Sequence, residues 1–331
     1  MNDKLIFTSC QPDHPYFAWQ LELQFLNFQD LGIELGRYHV LVSTLQDEVS
    51  LLFQDLQKRY PEVNFFFFKD SRIHRSYIPS LKPHLMSKFY HVYDTSDKVV
   101  VYIDSDVIFR EIPNFEPFCE DDNTIWMSDT SSYLNSSYIK SKGSTLLDEM
   151  CAIVGVTTQQ VEEIDKCSGG AQYILKGLDA SFWDKVEKDS TPLYNFMRSS
   201  ETTTRFAKEY ALRNNTTEDK YHPIQAWCSE MWTTLWNFLY VGKSVAIHKE
   251  LNFCFATSPS SEYNSCKILH NAGVTSNDKD KMFFKGQFIN GLPDDLDLSY
   301  VLDKYSSFYY ASYVKKLLEL RKKSLNLANE H

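Results

Sequence analysis

Near the start of the chain, LIFTSCQ is a short run of apolar and small residues. Beyond Pro12 and Pro15, FAWQLELQFLNFQDLG carries apolar residues at helical spacing and ends at Gly32. The pattern predicts a strand and then a helix. It repeats: HVLVS (39–43) reads as a strand, VSLLFQDLQKRY (49–60) as a helix and VNFFFFK (63–69) as a strand. HLMSKFYHVYD (84–94) is the next helix, and VVVYID, from Val99, is the strand after it. Strands alternating with helices predict an α/β fold with a Rossmann-like, mostly parallel central sheet and helices on both faces. Past Arg110 the pattern is less regular. Helices are expected at 144–154, over GGAQYILKG around Gln172, over FWDKVEKDSTPLYNFM around Trp183, and in the tryptophan-rich IQAWCSEMWTTLWNFLYVG (224–242). No internal repeat or long linker interrupts the chain.

Two carboxylates stand at the end of the most strand-like segment, VVVYIDSDVIFR. Ligands of open α/β sheets bind outside the carboxyl ends of strands, which is where Asp104 and Asp106 fall. Alternation along an extended segment points residues i and i+2 the same way, so both carboxylates address one centre while Ser105 turns aside. Two anionic groups facing one point repel unless a cation lies between them. Mg²⁺ or Mn²⁺, held by carboxylates together with substrate phosphates, is the natural guest. A solvated strand end is the alternative for an isolated Asp-Ser-Asp. The apolar strand before it, about 100 residues into an α/β chain, favours a nucleotide-sugar glycosyltransferase of the GT-A kind.

Composition narrows the setting. The 331 residues are 43% hydrophobic, 24% charged and 15% aromatic, those of a folded chain whose aromatics either fill a core or line a groove. A net charge of −10 opposes broad affinity for nucleic acid, although HRSYIPSLKPHLMSK and YVKKLLELRKK (313–323) are local basic segments. The second reads as a basic amphipathic helix, either a solvated face or a contact for an anionic surface. No secretion signal and no membrane span are visible. Seven scattered cysteines without a CxxC pair argue for reduced thiols and a cytoplasmic setting, and against structural zinc.

Several motifs carry a resemblance. CKILHNAG, with His270 and Gly273, followed by Lys285-Gly286, resembles the late HxxG-to-Lys pattern of retaining GT-A enzymes such as glycogenin, with a longer interval before the lysine. That resemblance implies His270 as a metal ligand beside Asp104 and Asp106, and Lys285 on the donor diphosphate. SGGAQYIL resembles the GGDQ stretch of the same enzymes: Gln172 matches their Gln, and Ala171 stands where an Asp is expected. FTSCQPDHPYFAWQ and WCSEMWTTLWNFLYVG are similar to the opening segment and the W-x-x-EM helix of the hydroxyproline O-arabinosyltransferases and peptidyl-serine α-galactosyltransferases. Pro15, Tyr16, Trp19 and Gln20 carry the first match. The second makes Glu230 the candidate active-site carboxylate.

These resemblances imply a donor-binding half over residues 1–110, an acceptor-side half over 111–290 and a C-terminal helical segment over 291–331, in one continuous domain. They imply a hexosyl- or pentosyltransferase that moves arabinose, another pentose or galactose from a UDP-sugar to an acceptor hydroxyl with retention. Asp104 also serves the donor, Lys82 and Lys88 are further phosphate or ribose candidates, and Thr8 and Ser9, expected at the end of the first strand, would meet the nucleoside. Glu230 and Gln172 are the candidate catalytic groups. The plant enzymes are secretory and membrane-anchored, whereas this chain begins near its first strand, which moves the expected acceptor to a cytosol-like compartment. Peptide, glycan and hydroxymethylated DNA base are all open as acceptors, the last implying a viral enzyme in host cytoplasm. A metal-dependent nucleotidyltransferase and a non-catalytic carbohydrate-binding module are the competing readings.

Overall fold

The computed structural model describes residues 2–121 and 123–329. Its strands, in chain order, are β1 (Leu5–Pro12), β2 (Tyr38–Thr44), β3 (Asn64–Lys69), β4 (Val99–Tyr102), β5 (Val107–Phe109), β6 (Thr124–Asp129), β7 (Gly169–Leu175), β8 (Ser244–Ile247), β9 (Phe253–Phe255) and β10 (Ile268–His270). The fold is α/β, with mixed, mostly parallel strand pairing and flanking helices, as the alternating pattern predicts. The chain divides into two compact units, one made of the residues up to Lys69 with Tyr102–Pro117 and Lys249 onward, the other of Asp70–Val101 and Phe118–His248.

In the first unit β1, β2 and β3 are parallel neighbours, with Phe7 opposite Tyr38 and His39 opposite Asn64. Every residue of β2 is buried, which is why YHVLVST reads as a near-continuous apolar run rather than an alternating one. The Pro15–Asp30 helix links β1 to β2. Proline opens it, where a missing N–H is harmless, and Gly32, at φ +73°, turns the chain out of it. Its Trp19, Leu23 and Leu26 pack into a core with Phe283, Phe288, Tyr310, Val314 and Leu317. The last three of these lie on the C-terminal helix and explain its basic run. The Ser307–Asn329 helix buries Val314, Leu317 and Leu318, places Lys316 on Asp30 at 2.5 Å and pairs Arg321 with Glu22, while Lys315, Lys322 and Lys323 are exposed.

A second, small sheet in this unit fixes where His270 lies. β10 runs antiparallel to β5 and parallel to β9, with His270 opposite Val107. Side chains of the Pro15–Asp30 helix brace this sheet. Asn27 accepts from the Phe109 N–H and donates to the Phe109 carbonyl, both at 2.8 Å, so that an amide side chain imitates a ladder partner.

In the second unit β6 is antiparallel to β7 and parallel to β8. The Ala180–Arg198 helix packs against the Leu81–Val92 and Ser229–Tyr240 helices, around the fully buried Trp183, Trp232 and Trp236. Two expectations change here. GGAQYILKG is a strand, not a helix: all seven residues of β7 are buried, and an apolar run this short fits either state until tertiary pairing decides. A helix over Ser200–Asn214 went unseen because only Thr202 and Phe206 of it are buried, too few to make an apolar stripe. Among the described residues no helix is long and apolar enough to cross a membrane, and none of the seven cysteines is in a disulfide.

Replacing Asn27 with Leu strands the buried N–H and C=O of Phe109. A loss of about 3 kcal/mol in unfolding free energy is expected by urea denaturation; a change under about 1 kcal/mol would show that the brace is dispensable.

Candidate functional site

The Asp-Ser-Asp segment is a turn rather than a continuing strand. The Val107 N–H closes it on the Asp104 carbonyl at 3.2 Å, and Gln24 Nε2 donates to the carbonyls of Asp104 (3.0 Å) and Val107 (2.7 Å). Gln24 Oε1 accepts from the Tyr38 hydroxyl, whose oxygen also lies 2.8 Å from Ser9 Oγ. The β5–β10 register then brings His270 beside the turn, and the Asn271 N–H donates to the Asp106 carbonyl at 3.0 Å. Gly273, at φ +88°, takes the chain away immediately afterwards, in a backbone conformation that an L side chain rarely adopts.

Asp104, Asp106 and His270 each offer one ligand atom, and the three atoms lie within 4.8 Å of one another. The two carboxylates thus converge as expected, although through a turn, and Ser105 is buried as well. His270 Nε2 stands 3.3 Å from Asp106 Oδ1 and 3.7 Å from Asp104 Oδ2. His270 Nδ1 is buried without a hydrogen-bond partner. Two carboxylates and an imidazole nitrogen fit a divalent ion of the Mn²⁺ or Mg²⁺ kind. Nε2, the ring nitrogen that faces the carboxylates, is the one placed to ligate an ion between them once the imidazole is neutral.

Asp106 is 5% exposed and its second oxygen, Oδ2, accepts from the Lys285 ammonium. Burial alone would raise its carboxyl; the charges of Lys285 and His270, and their hydrogen bonds, hold it well below the usual carboxylate range instead. The converse holds for the partners. Burial opposes the charged forms of His270 and Lys285, yet Asp106 raises both above their ordinary values. Lys285 opens a single turn, Lys285–Gln287, where the Phe284 ring lies so close over Gly286 that an added Cβ would fall 2.4 Å from it. Tyr16 faces the same ammonium: burial raises its phenol, Lys285 lowers it and Asp106 raises it. Asp104 is less enclosed, and its Oδ1 accepts from the Tyr102 hydroxyl at 2.8 Å.

Thr8 and Ser9 are mid-strand and fully buried, because β1 continues to Pro12 rather than ending at them; Thr8 Oγ1 has no partner. In the second unit Lys82 Nζ is 2.8 Å from Glu230 Oε1, which also accepts from Thr234 Oγ1 at 2.6 Å. The Lys82 ammonium lies 4.7 Å from the centre of the Tyr173 ring, and the Glu230 N–H donates to Tyr77 Oη at 2.7 Å. Glu230 is thus an ion-paired carboxylate. Lys88 lines a groove of about 560 Å³ with Arg72, His84, His91, Glu187 and Lys188.

Gln172 sits in a bulge. The β6–β7 register jumps between Met127 and Ser128, from Tyr173 to Gly170, so Ala171 and Gln172 have no residue opposite them. Ala171 takes φ +65° there, and Gly169 is forced because a Cβ would meet Met127 at 2.6 Å and the Ser128 carbonyl at 2.8 Å. Gln172 Oε1 accepts from Ser128 Oγ at 2.5 Å, whereas its Nε2 is buried without a partner.

Sequence reasoning did not find Gln24, Asn27, Tyr102 or Tyr16 as parts of this site. One signal was available: Gln20, Gln24 and Asn27 are polar residues at helical spacing within an otherwise apolar stretch, and all three are buried.

No family model matches the chain, and neither does any curated protein. Distant similarities to solved structures exist. The galactosyltransferase LgtC in complex with donor and acceptor sugar analogues is 12% identical, with 81% of this chain and 87% of that one covered and a TM-score of 0.41. The apo WbbM bifunctional glycosyltransferase is 12% identical over 83% of this chain and 47% of that one, with a TM-score of 0.43. Mouse xyloside xylosyltransferase 1, in its apo form, is 10% identical over 82% and 98%, with a TM-score of 0.35. At these identities and scores the chain is not assigned to any one of these families.

Two substitutions probe the second unit. Glu230→Gln leaves the Lys82 ammonium buried without its carboxylate, and a loss of about 3 kcal/mol is expected by chemical denaturation, largely recovered when Lys82→Met is added. Additive losses in the double variant would show that the pair is not coupled. Ala171→Gly relieves a left-handed alanine, so a gain of about 1 kcal/mol is expected where this substitution in a regular element loses stability. A loss would mean that the methyl group's packing outweighs the backbone strain.

Proposed function

We propose that this chain is a metal-dependent glycosyltransferase of the GT-A type, moving a sugar from a nucleoside-diphosphate sugar to an acceptor hydroxyl. The convergence of Asp104, Asp106 and His270 within 4.8 Å carries the reading, together with the Lys285 ammonium on Asp106. Three ligands leave coordination positions for oxygens from outside the chain, the arrangement that suits an ion shared with substrate phosphates. A divalent ion held there supplies Lewis-acid stabilisation of the negative charge that grows on the leaving diphosphate. Lys285 adds a mobile positive charge to the same anion.

The finer reading is a UDP-sugar donor carrying arabinose, another pentose or galactose, transferred with retention. It rests on the motif resemblances around Gln172, Glu230 and His270. Gln172 Nε2 is a buried donor that lacks a partner, the kind of group a sugar hydroxyl satisfies. The Lys82–Glu230 pair offers a fixed carboxylate and ammonium for hydroxyl recognition.

Incubated with Mn²⁺ and a panel of UDP-sugars, the protein is expected to gain several degrees of thermal stability with one donor and to release UDP slowly, both effects vanishing in EDTA. Asp106→Asn should lower that hydrolysis by roughly 100-fold or more with its circular dichroism unchanged. Full activity in this variant would sink the metal-centre reading.

A further inference from the structure

The Asp106 carboxylate is buried, with one partner on each oxygen. Oδ1 faces His270 Nε2, and Oδ2 holds the Lys285 ammonium. An ion bound by Asp104, Asp106 and His270 would share the Asp106 carboxylate with Lys285, and a dication beside an ammonium on one carboxylate is strongly repelled in so enclosed a place. Lys285 therefore already supplies the positive charge that such an ion would bring to Asp106. The chain around it permits departure. Apart from the Lys285–Gln287 turn, residues 271–304 contain no helix or strand, and a four-carbon stem lets the ammonium swing without breaking a ladder. Tyr16, on the well-anchored Pro15–Asp30 helix, marks the side on which the ammonium rests.

From this geometry we infer that Lys285 is the resident counter-cation of Asp106, displaced by a divalent ion, and that the freed ammonium then receives the anionic nucleotide. The inference rests on the proposed metal centre and adds an order to it. Cation alone must evict a favourable ion pair; cation with a nucleoside diphosphate gives the evicted ammonium a new partner. Metal and nucleotide are then positively coupled through Lys285, and by linkage each tightens the other equally. Asp106 is never left without a positive neighbour in either state, which is what its burial demands.

The test is Mn²⁺ binding by the full-length protein, followed by electron paramagnetic resonance of the free ion, with and without saturating UDP. In the wild type UDP is expected to tighten Mn²⁺ binding by about 10-fold or more. Lys285→Met should bind Mn²⁺ alone about 5-fold or more tighter than wild type and lose most of the UDP effect, while Lys285→Arg behaves like wild type. Equal or weaker Mn²⁺ affinity in Lys285→Met without UDP overturns the inference. If Asp106→Asn at the same time abolishes Mn²⁺ binding, the metal centre itself stands. Undiminished Mn²⁺ binding in Asp106→Asn, or none in either wild type or Lys285→Met, overturns the metal reading and the inference with it. Lys285→Gln serves the same comparison should the methionine variant fail to fold.

Discussion

A buried carboxylate that must never be without a positive neighbour is the constraint around which the first unit is organised. Asp106 is almost wholly removed from water, and leaving an ion there uncompensated would cost more than a domain can readily bear. The compensation comes from far along the chain, His270 and Lys285, so the fold must deliver both to within bonding distance. It does so with the antiparallel pairing of β5 and β10, which fixes His270 opposite Val107, and with a short turn that returns Lys285. The amides of Gln24 and Asn27 brace the acidic turn and the strand after it, in the absence of enough ladder to hold a three-residue strand.

The second unit solves a related problem differently. There the strain is in the backbone: Ala171 is held at φ +65° inside a two-residue bulge, and Gln172 beside it keeps an unsatisfied amide. Strained backbone and orphaned polar groups persist only where surrounding packing over-determines them, and here Gly169 and Gly170 allow Met127 and Met231 to close in on the strand. Local sequence preferences yield to tertiary pairing at this point, which is where functional sites are most often found.

Much of this was legible in the residues. Alternating strands and helices over the first 110 positions predict the α/β fold, because fully buried strands and half-buried helices leave different periodicities. Residue chemistry pointed to Asp104 and Asp106, and the resemblance to the late HxxG-to-Lys pattern of retaining GT-A enzymes added His270 and Lys285. What periodicity could not show was support that acts across long sequence separations. Gln24 lies 80 residues from Asp104, and nothing local tells a buried glutamine that braces a turn from one that merely faces water. β7 was hidden by its length, and Thr8 and Ser9 were misplaced because β1 runs three residues beyond Ser9 into polar sequence.

The two units share one device, a lysine on a buried carboxylate, and the difference between the copies separates their roles. Glu230 receives Lys82 and Thr234 on a single oxygen, with its N–H tied to Tyr77, on a helix that carries three tryptophans or phenylalanines in the core. Among the described residues, Glu230 is in no cluster of three metal-ligating side chains. Asp106 receives Lys285 on one oxygen and an imidazole on the other, with Asp104 alongside and the lysine carried by a stretch free of regular structure. An ammonium brings one positive charge and three N–H donors, whereas a divalent ion brings twice the charge and takes about six ligands. Where three ligands converge, the lysine is the weaker occupant and exchange is favoured. The number of ligating groups around the carboxylate thus makes the Asp106 ion pair one in which the cation is replaceable.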